Sequence, residues 1–336
     1  MPLWIGAWET GLWLTANYGV ICPTLGVCWS SSQKNWGRWG ENDEVGSLNF
    51  LTAQEVLRGV ASVRQGKVFT LGIRIAAPEG DPIWPGRATA HRVNVMDRGH
   101  FMCGKAEPLS GGGEWADDMV VMYLQGSSQY DALGHVWYDN TLYNGYPAVT
   151  TVGGMSKASV LPIAERGVVG RGILIDMARF RGKECLDRGE TFTHTDLEAA
   201  AAQQGVEILP HDVLVIRTGW IGKFYRTPKE EFYRDFLEPG LTYSPELVRW
   251  FHEKEIPNLV TDTIANEVTV DPESGVTLPL HCALMRNLGV AFTEIIALDA
   301  LAEDCAADGQ WSFLYTAAPL KVVGGSGAPV NPVVIK

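Results

Sequence analysis

An α/β fold, with a mixed β-sheet at its core and helices around it, is predicted by three observations. From residue 51 onward β-rich runs alternate with segments of helical period; several β-runs in the first half have no helix between them; and neither G-x-G-x-x-G nor G-x-x-x-x-G-K-[ST] follows any strand. The alternation argues for α/β, and the missing crossover helices argue for antiparallel as well as parallel pairing. The missing glycine fingerprints argue against a dinucleotide-binding unit.

The first helix is marked by a capping box, Thr52 with Glu55, followed by Val56, Leu57, Val60 and Val63 at helical spacing and by Gly66 as a stop. Residues 68–75 then turn β-rich, and similar strands are expected at 119–124, 172–175, 213–217, 258–261 and 290–296. Further helices are expected from Thr193 through the alanines to Gly205, from Ser244-Pro245 to Lys254, and over 280–287 with Gly289 as the stop. Residues 78–116, rich in Gly, Pro and charge, read as long connecting loops, of the kind that serve as lids and substrate walls or as plain surface insertions.

The chain has 336 residues, 46% of them hydrophobic and 20% charged, which is enough to bury a large core. Its formal charge of -12 and the lack of any Lys/Arg run exclude the phosphate-neutralising surface that nucleic acid requires. Cys22, Cys28, Cys103, Cys185, Cys282 and Cys305 include no C-x-x-C pair and fit reduced thiols in a cytoplasmic protein. In residues 1–35, Trp4, Trp8, Trp13 and Trp29 sit among Gly and Thr without a clear period. No basic residue precedes Lys34, and Glu9, Asn17 and Pro23 interrupt any membrane span. This stretch reads as an appended arm that packs on a partner subunit or precedes the true start, with residues 36–336 as a single domain. The expected partner is a small-molecule substrate, not nucleic acid or membrane.

The densest chemistry lies in Gln125-Gly126-Ser127-Ser128-Gln129-Tyr130-Asp131-Ala132-Leu133-Gly134-His135. Read as a strand end followed by a turn, the segment brings Gln125, Gln129, Asp131 and His135 toward one cavity, because alternate residues of an extended chain share a face. Hydrolysis by a bound ion needs a few neutral or anionic ligands and an open coordination position. Without further context Asp131 also reads as a turn residue and His135 as a partly buried polar group. Glu294, inside the apolar run 290–297, is more informative, since a buried carboxylate is costly unless paired or metal-bound.

The segment resembles the HxGTHxDxxxH signature of the cyclase family, which includes bacterial kynurenine formamidase and isatin hydrolase. The match keeps Asp131 and His135, puts Ser127 and Ser128 at the Gly and Thr positions, and replaces both earlier histidines by Gln125 and Gln129. The resemblance extends over 36–301. Trp39-Gly40-Glu41-Asn42-Asp43-Glu44-Val45-Gly46-Ser47-Leu48-Asn49 is similar to the family's WGxxDExGxLN opening and Arg217-Thr218-Gly219-Trp220 to its RTGW strand end, while His281 and Glu294 resemble the His and Glu that complete its metal centre. A long-chain branch is similar in carrying Gln at the second histidine position.

The resemblance implies a barrel-like mixed sheet of the swivelling β/β/α type and subunits assembled as a homodimer or homotetramer. It also implies hydrolysis by a metal-activated water, with His135 as general base or proton shuttle. Asp131, His281 and Glu294 are then the ligands of one divalent ion, manganese, zinc or magnesium, and Gln125 and Gln129 become amide donors to the substrate carbonyl.

Trp137 and Tyr138 are expected to line a pocket for a flat or cyclic substrate, and Arg217 either binds a substrate carboxylate or pairs with a carboxylate of the fold. Cys282, beside His281, reads as a packed thiol, because sequence neighbours on a helix point apart. His91 and His100 read as surface residues, and His194, His211 and His252 as boundary residues. Three functions remain open: a metal-dependent hydrolase opening a C–N or C–O bond of a small cyclic amide, lactone or related carbonyl compound; a metal-independent acid–base enzyme using His135, Gln125 and Gln129 for lactone opening, dehydration or isomerisation; and a non-catalytic ligand-binding relative. The first is preferred.

Overall fold

The computed structural model describes residues 33–336, so the arm expected at 1–35 lies almost wholly outside the described residues. The strands are β1 (Val68–Thr70), β2 (His91–Met96), β3 (Asp117–Val121), β4 (Gln129–Asp131), β5 (Val168–Asp176), β6 (Thr191–Phe192), β7 (Val213–Arg217), β8 (Gly240–Leu241), β9 (Asn258–Thr261), β10 (Ala291–Glu294), β11 (Ser312–Ala317), β12 (Gly327–Pro329) and β13 (Val333–Ile335). Nine of them form one mixed sheet, curled into a half-barrel, in the order β1-β13-β11-β5-β7-β9-β10-β4-β12. Strands β5, β7, β9 and β10 are parallel, and antiparallel strands flank them on both sides. The parallel strands are covered on both faces, which is why β7 reads Val213-Leu214-Val215-Ile216, an unbroken apolar run.

The helices follow their local signals where those signals are caps. Thr193 and Asp196 form a capping box for the helix His194–Gln204, and Gly205 closes it at φ 70°. Ser244 Oγ accepts from Leu247 N at 3.0 Å to start Pro245–Glu253. Residues His281–Arg286 wind as a π-helix.

Two expectations need correction. The helix Ala53–Val60 has its capping box, but the face it buries is not the apolar one: Leu57 is 68% exposed, while Glu55 and Gly59 point inward. The cause is backbone proximity. A Cβ on Gly59 would stand 2.6 Å from the carbonyl carbon of Gly170 in β5, and Glu55 reaches past it to His211 at 3.0 Å. Residues 78–116 are not unbroken loop either, since they contain β2 and the short helix Arg98–Met102. Strands β2 and β3 pair as a hairpin of their own, exposed on both faces; β3 overlaps the strand expected at 119–124, whereas β2 has no buried stripe to reveal it in the sequence.

Candidate metal centre

Three distant segments meet at the end of β10. The register that pairs Glu294 with Gln129 across β10 and β4 brings Asp131, two residues further along β4, into the same neighbourhood. His281 arrives from the first turn of the π-helix. Glu267 holds it there, accepting from the backbone N–H of Leu280 at 2.6 Å and of His281 at 2.8 Å, and from His281 Nδ1 at 2.6 Å. With Nδ1 so engaged, His281 Nε2 faces Glu294 at 3.5 Å and Asp131 at 3.9 Å. One ligand atom from each of the three buried residues lies within 4.8 Å of the others.

Glu267 is placed by the RTGW segment, which is structural. Thr218 N and Oγ1 and Gly219 N all donate to the buried Asp262 at 2.7 Å, anchoring the loop that follows β9. Gly219 sits at φ 81°, where a Cβ would meet Glu184 O at 2.3 Å, so glycine is required. Glu238 accepts from Ile264 N at 3.0 Å, and Gly240 packs so closely that a Cβ would stand 2.4 Å from the carbonyl carbon of Glu267.

Both oxygens of Asp131 are buried without a hydrogen-bond partner, as are Gln129 Oε1 and Asn266 Oδ1. The amide nitrogens of those two residues donate to Glu294, Gln129 at 2.9 Å and Asn266 at 3.1 Å. Burial, and then the charge of Asp131, pushes Glu294 up to about 7. Burial alone would lower His281, but its bonds to Glu267 and Glu294 outweigh it and raise it to about 10. Buried polar atoms are almost always satisfied, so a knot of unpartnered oxygens is a gap that a cation would fill.

The three residues line a cavity of about 90 Å³ together with His135, Arg87 and Trp84. Burial lowers the His135 pKa, outweighing the Asp131 charge, and His281 and Arg87 lower it further, which leaves the imidazole neutral at pH 7. Gln125 Nε2 stands 3.5 Å from His135 Nδ1 and 3.0 Å from Ser326 Oγ. Gly327 leaves room for it, since a Cβ there would meet Gln125 Nε2 at 2.6 Å.

The remaining sequence candidates divide. Gln129 turns its amide nitrogen toward Glu294 at 2.9 Å, which takes one of its two N–H donors. Trp137 lines a groove of about 420 Å³ on whose wall His135 also stands. Tyr138 instead bonds Asn287 Oδ1 at 3.0 Å, with the Arg286 guanidinium 3.7 Å from its ring centroid. Arg217 is not at the cavity: it is buried against Asp299 at 2.8 Å, Asp176 at 3.1 Å and Glu184 O at 3.2 Å, so it binds the fold. The Cys282 thiol is pushed up to about 12 by burial and is no nucleophile. Sequence reasoning missed Arg87, Asn266, Glu267 and Ser326. A signal existed for Glu267 alone, a carboxylate between Ala265 and Val268 in apolar surroundings, as for Glu294.

A family model described as Putative cyclase matches residues 67–268, more than half of the chain. The chain belongs to the cyclase family. A crystal structure of a novel cyclase is 35% identical to this family member and superposes with a TM-score of 0.83, covering 91% of this chain and 100% of the other. Isatin hydrolase A from Labrenzia aggregata, bound to benzyl benzoate, is 20% identical with a TM-score of 0.56, covering 86% of this chain and 98% of the other. An isatin hydrolase bound to the product analogue thioisatinate is 18% identical, also with a TM-score of 0.56, covering 84% and 98%. At these identities the two hydrolases share the fold of this cyclase-family chain. No curated protein matches it. The mixed, barrel-like sheet expected from the resemblance is the fold observed. Among the described residues no helix is long and apolar enough to cross a membrane.

Proposed function

We propose that this cyclase-family chain is a metal-dependent hydrolase that opens a C–N or C–O bond of a small cyclic amide, lactone or related carbonyl compound. Asp131 carries the reading: a fully buried carboxylate with neither oxygen hydrogen-bonded, clustered with Glu294 and His281, is costly until a cation joins it. Asp131, Glu294 and His281 Nε2 would hold the ion, with the free amide oxygens of Gln129 and Asn266 nearby. This oxygen-rich set suits manganese or magnesium as well as zinc. A divalent ion there supplies Lewis acidity toward a carbonyl and lowers the pKa of water toward neutrality. The fold neighbours named isatin hydrolases support the hydrolase reading.

The chain's own residues do the rest. Glu267 orients His281, while Gln129 and Asn266 hold the Glu294 carboxylate. His135 lines both the inner cavity and the outer groove, so a proton taken on the inner side can leave on the outer one. A neutral imidazole that accepts a proton on one nitrogen needs the other one held. Gln125, whose amide can present either end beside the two-way Oγ of Ser326, is placed to hold Nδ1.

The test is elemental analysis together with a ring-opening screen. The purified protein is expected to carry one divalent ion per chain, to open at least one lactone or cyclic amide, and to lose that activity on chelation and in Asp131→Ala. His135→Ala should cost roughly a hundred- to ten-thousand-fold in kcat. Activity without stoichiometric metal and indifferent to chelation would overturn the reading, as would a metal-loaded protein that turns over nothing.

A further inference from the structure

Strand β10 ends at Glu294 in a way that a sheet alone does not require. Its register with β4 pairs Thr293 with Tyr130 and Glu294 with Gln129, so one more step would set Ile295 against Ser128. The ladder stops there instead. Ile295 turns to φ 59°, and among the described residues it is the one β-branched residue with a positive φ. A branched Cβ crowds the backbone in that region, and such a conformation persists only where the surroundings over-determine it.

Those surroundings are hydrogen bonds. Ile295 N donates to Thr263 O at 2.9 Å, Ile296 N donates to Thr261 O at 3.1 Å, and Ile295 O accepts from Ser128 Oγ at 2.5 Å. The first of these fixes the plane of the peptide that follows Glu294, and with it the direction in which the Glu294 side chain leaves the strand. The last comes from a side chain. Ser128 is buried, and its Oγ also accepts from Ile73 N at 2.9 Å, so its single proton is committed to Ile295 O. A hydroxyl thus stands in for the ladder bond that the left-handed turn gives up.

The same cavity is strained at its other approaches. Asn266, whose amide donates to Glu294, has φ 56°, and Leu278, on the cavity wall three residues before His281, has φ 53° although Pro279 follows it. Asparagine adopts this region readily, whereas isoleucine, and leucine before proline, do not. Strain of this kind gathers where a site is held ready for its ligand.

We infer that Ser128 is a positioning residue for the metal centre: its hydroxyl holds Ile295 in the left-handed turn, and the turn keeps the Glu294 carboxylate facing Asp131 and His281 before any ion arrives. The purpose of this clamp rests on the metal-dependent reading, while the clamp itself belongs to the metal-free chain.

The experiment is a competition titration of the full chain with manganese against a chromogenic chelator, joined to amide exchange over residues 291–297 in chelator. Ser128→Ala should weaken manganese binding about 10- to 100-fold and speed exchange at Ile295 about tenfold. Ser128→Thr, which keeps the hydroxyl and is the residue of the family signature at this position, should stay within about threefold of the parent in both. Glycine adopts φ 59° without strain, so in an Ile295→Gly background Ser128→Ala should cost no more than about threefold in either readout. In an Ile295→Val background, where the Cβ is still branched, it should cost as much as in the parent. Ser128→Ala at parent affinity, whatever its melting temperature, would make Ser128 a packing residue and overturn the inference. So would equal losses in the Ile295→Gly and Ile295→Val backgrounds, or a Ser128→Thr variant as weak as Ser128→Ala. Ile295 belongs to a buried cluster with Trp220 and Ile264, which Ile295→Gly partly empties; if that variant does not fold, Ser128→Thr against Ser128→Ala decides. A parent that binds no manganese sinks the hydrolase reading, and the exchange rates then decide the clamp alone.

Discussion

If Asp131 is kept for a cation and not for the fold, replacing it should make the metal-free protein more stable. The change is Asp131→Asn, nearly isosteric, which replaces two unpartnered anionic oxygens with one oxygen and a donor that can reach Glu294. A buried, unsatisfied charged group costs about 1–3 kcal/mol or more. Two charged carboxylates within 4.8 Å repel by on the order of 3 kcal/mol at an effective dielectric of about 20. Glu294 is raised to about 7 and so is already partly protonated at neutral pH, which discounts the repulsion. His281, raised to about 10 and 3.9 Å away, attracts the Asp131 carboxylate by about 4 kcal/mol at the same dielectric. The Coulomb contributions roughly offset each other, and the cost of the unsatisfied oxygens, about 2 kcal/mol, is the working figure for the gain. With about 2.1 cal/mol/K of unfolding entropy per residue over 336 residues, that is a rise of about 3 °C in Tm. In chelator, scanning calorimetry should therefore place Asp131→Asn above the parent. In manganese or zinc at about a hundred times Kd the parent should gain about 2.7 kcal/mol and overtake the variant, which gains little. A variant that melts below the parent in chelator would refute the reasoning, because it would mean that the carboxylate is already satisfied by the protein.

Glu267→Gln, which weakens the anchor on His281 Nδ1, should reduce metal affinity about 10- to 100-fold while the fold persists; competition titration against a chromogenic chelator reads this, and an unchanged Kd counts against it. Metal uptake should strengthen as pH rises from about 6 to 9, because the ion must displace protons from Glu294 and His281, both raised above their ordinary values; a pH-independent affinity would contradict this. Glu55 is held down to about 2, its burial outweighed by bonds from Thr52 and His211. A depressed carboxylate stabilises above its unfolded pKa and loses that contribution as pH falls from about 4.5 toward 2, and at about 1.4 kcal/mol per pH unit the contribution is about 3 kcal/mol. Urea melts of Glu55→Gln should show that deficit at pH 7 and little of it near pH 2, and a deficit that does not shrink on acidification would argue otherwise.

What the sequence revealed divides along physical lines. Asp131, His281 and Glu294 are recognisable because chemistry restricts where a carboxylate or imidazole can sit in an apolar run, and the structure brings all three to one cavity. The caps at Thr52, Thr193 and Ser244 are recognisable because a cap is local. Which face a helix buries is not local, and the inverted helix Ala53–Val60 depends on a glycine–glycine approach to a strand more than a hundred residues away. Arg217 looked equally suited to a substrate or to the fold until Asp176 and Asp299 came alongside. Gln129 was noticed as a replacement for histidine, yet its partner Glu294 is 165 positions distant, and its amide donor turns toward that residue.

The seating of β4 between β10 and β12 also sets a timetable. Asp131 is made early in synthesis, but Glu294 lies across from its strand on one side and Gly327 on the other. A nascent chain shorter than about 330 residues therefore has the first ligand and no enclosed place for an ion. Closing loops of this length is slow, so metal capture should wait until β12 has been made and has docked beside β4, and should report closure of this part of the sheet.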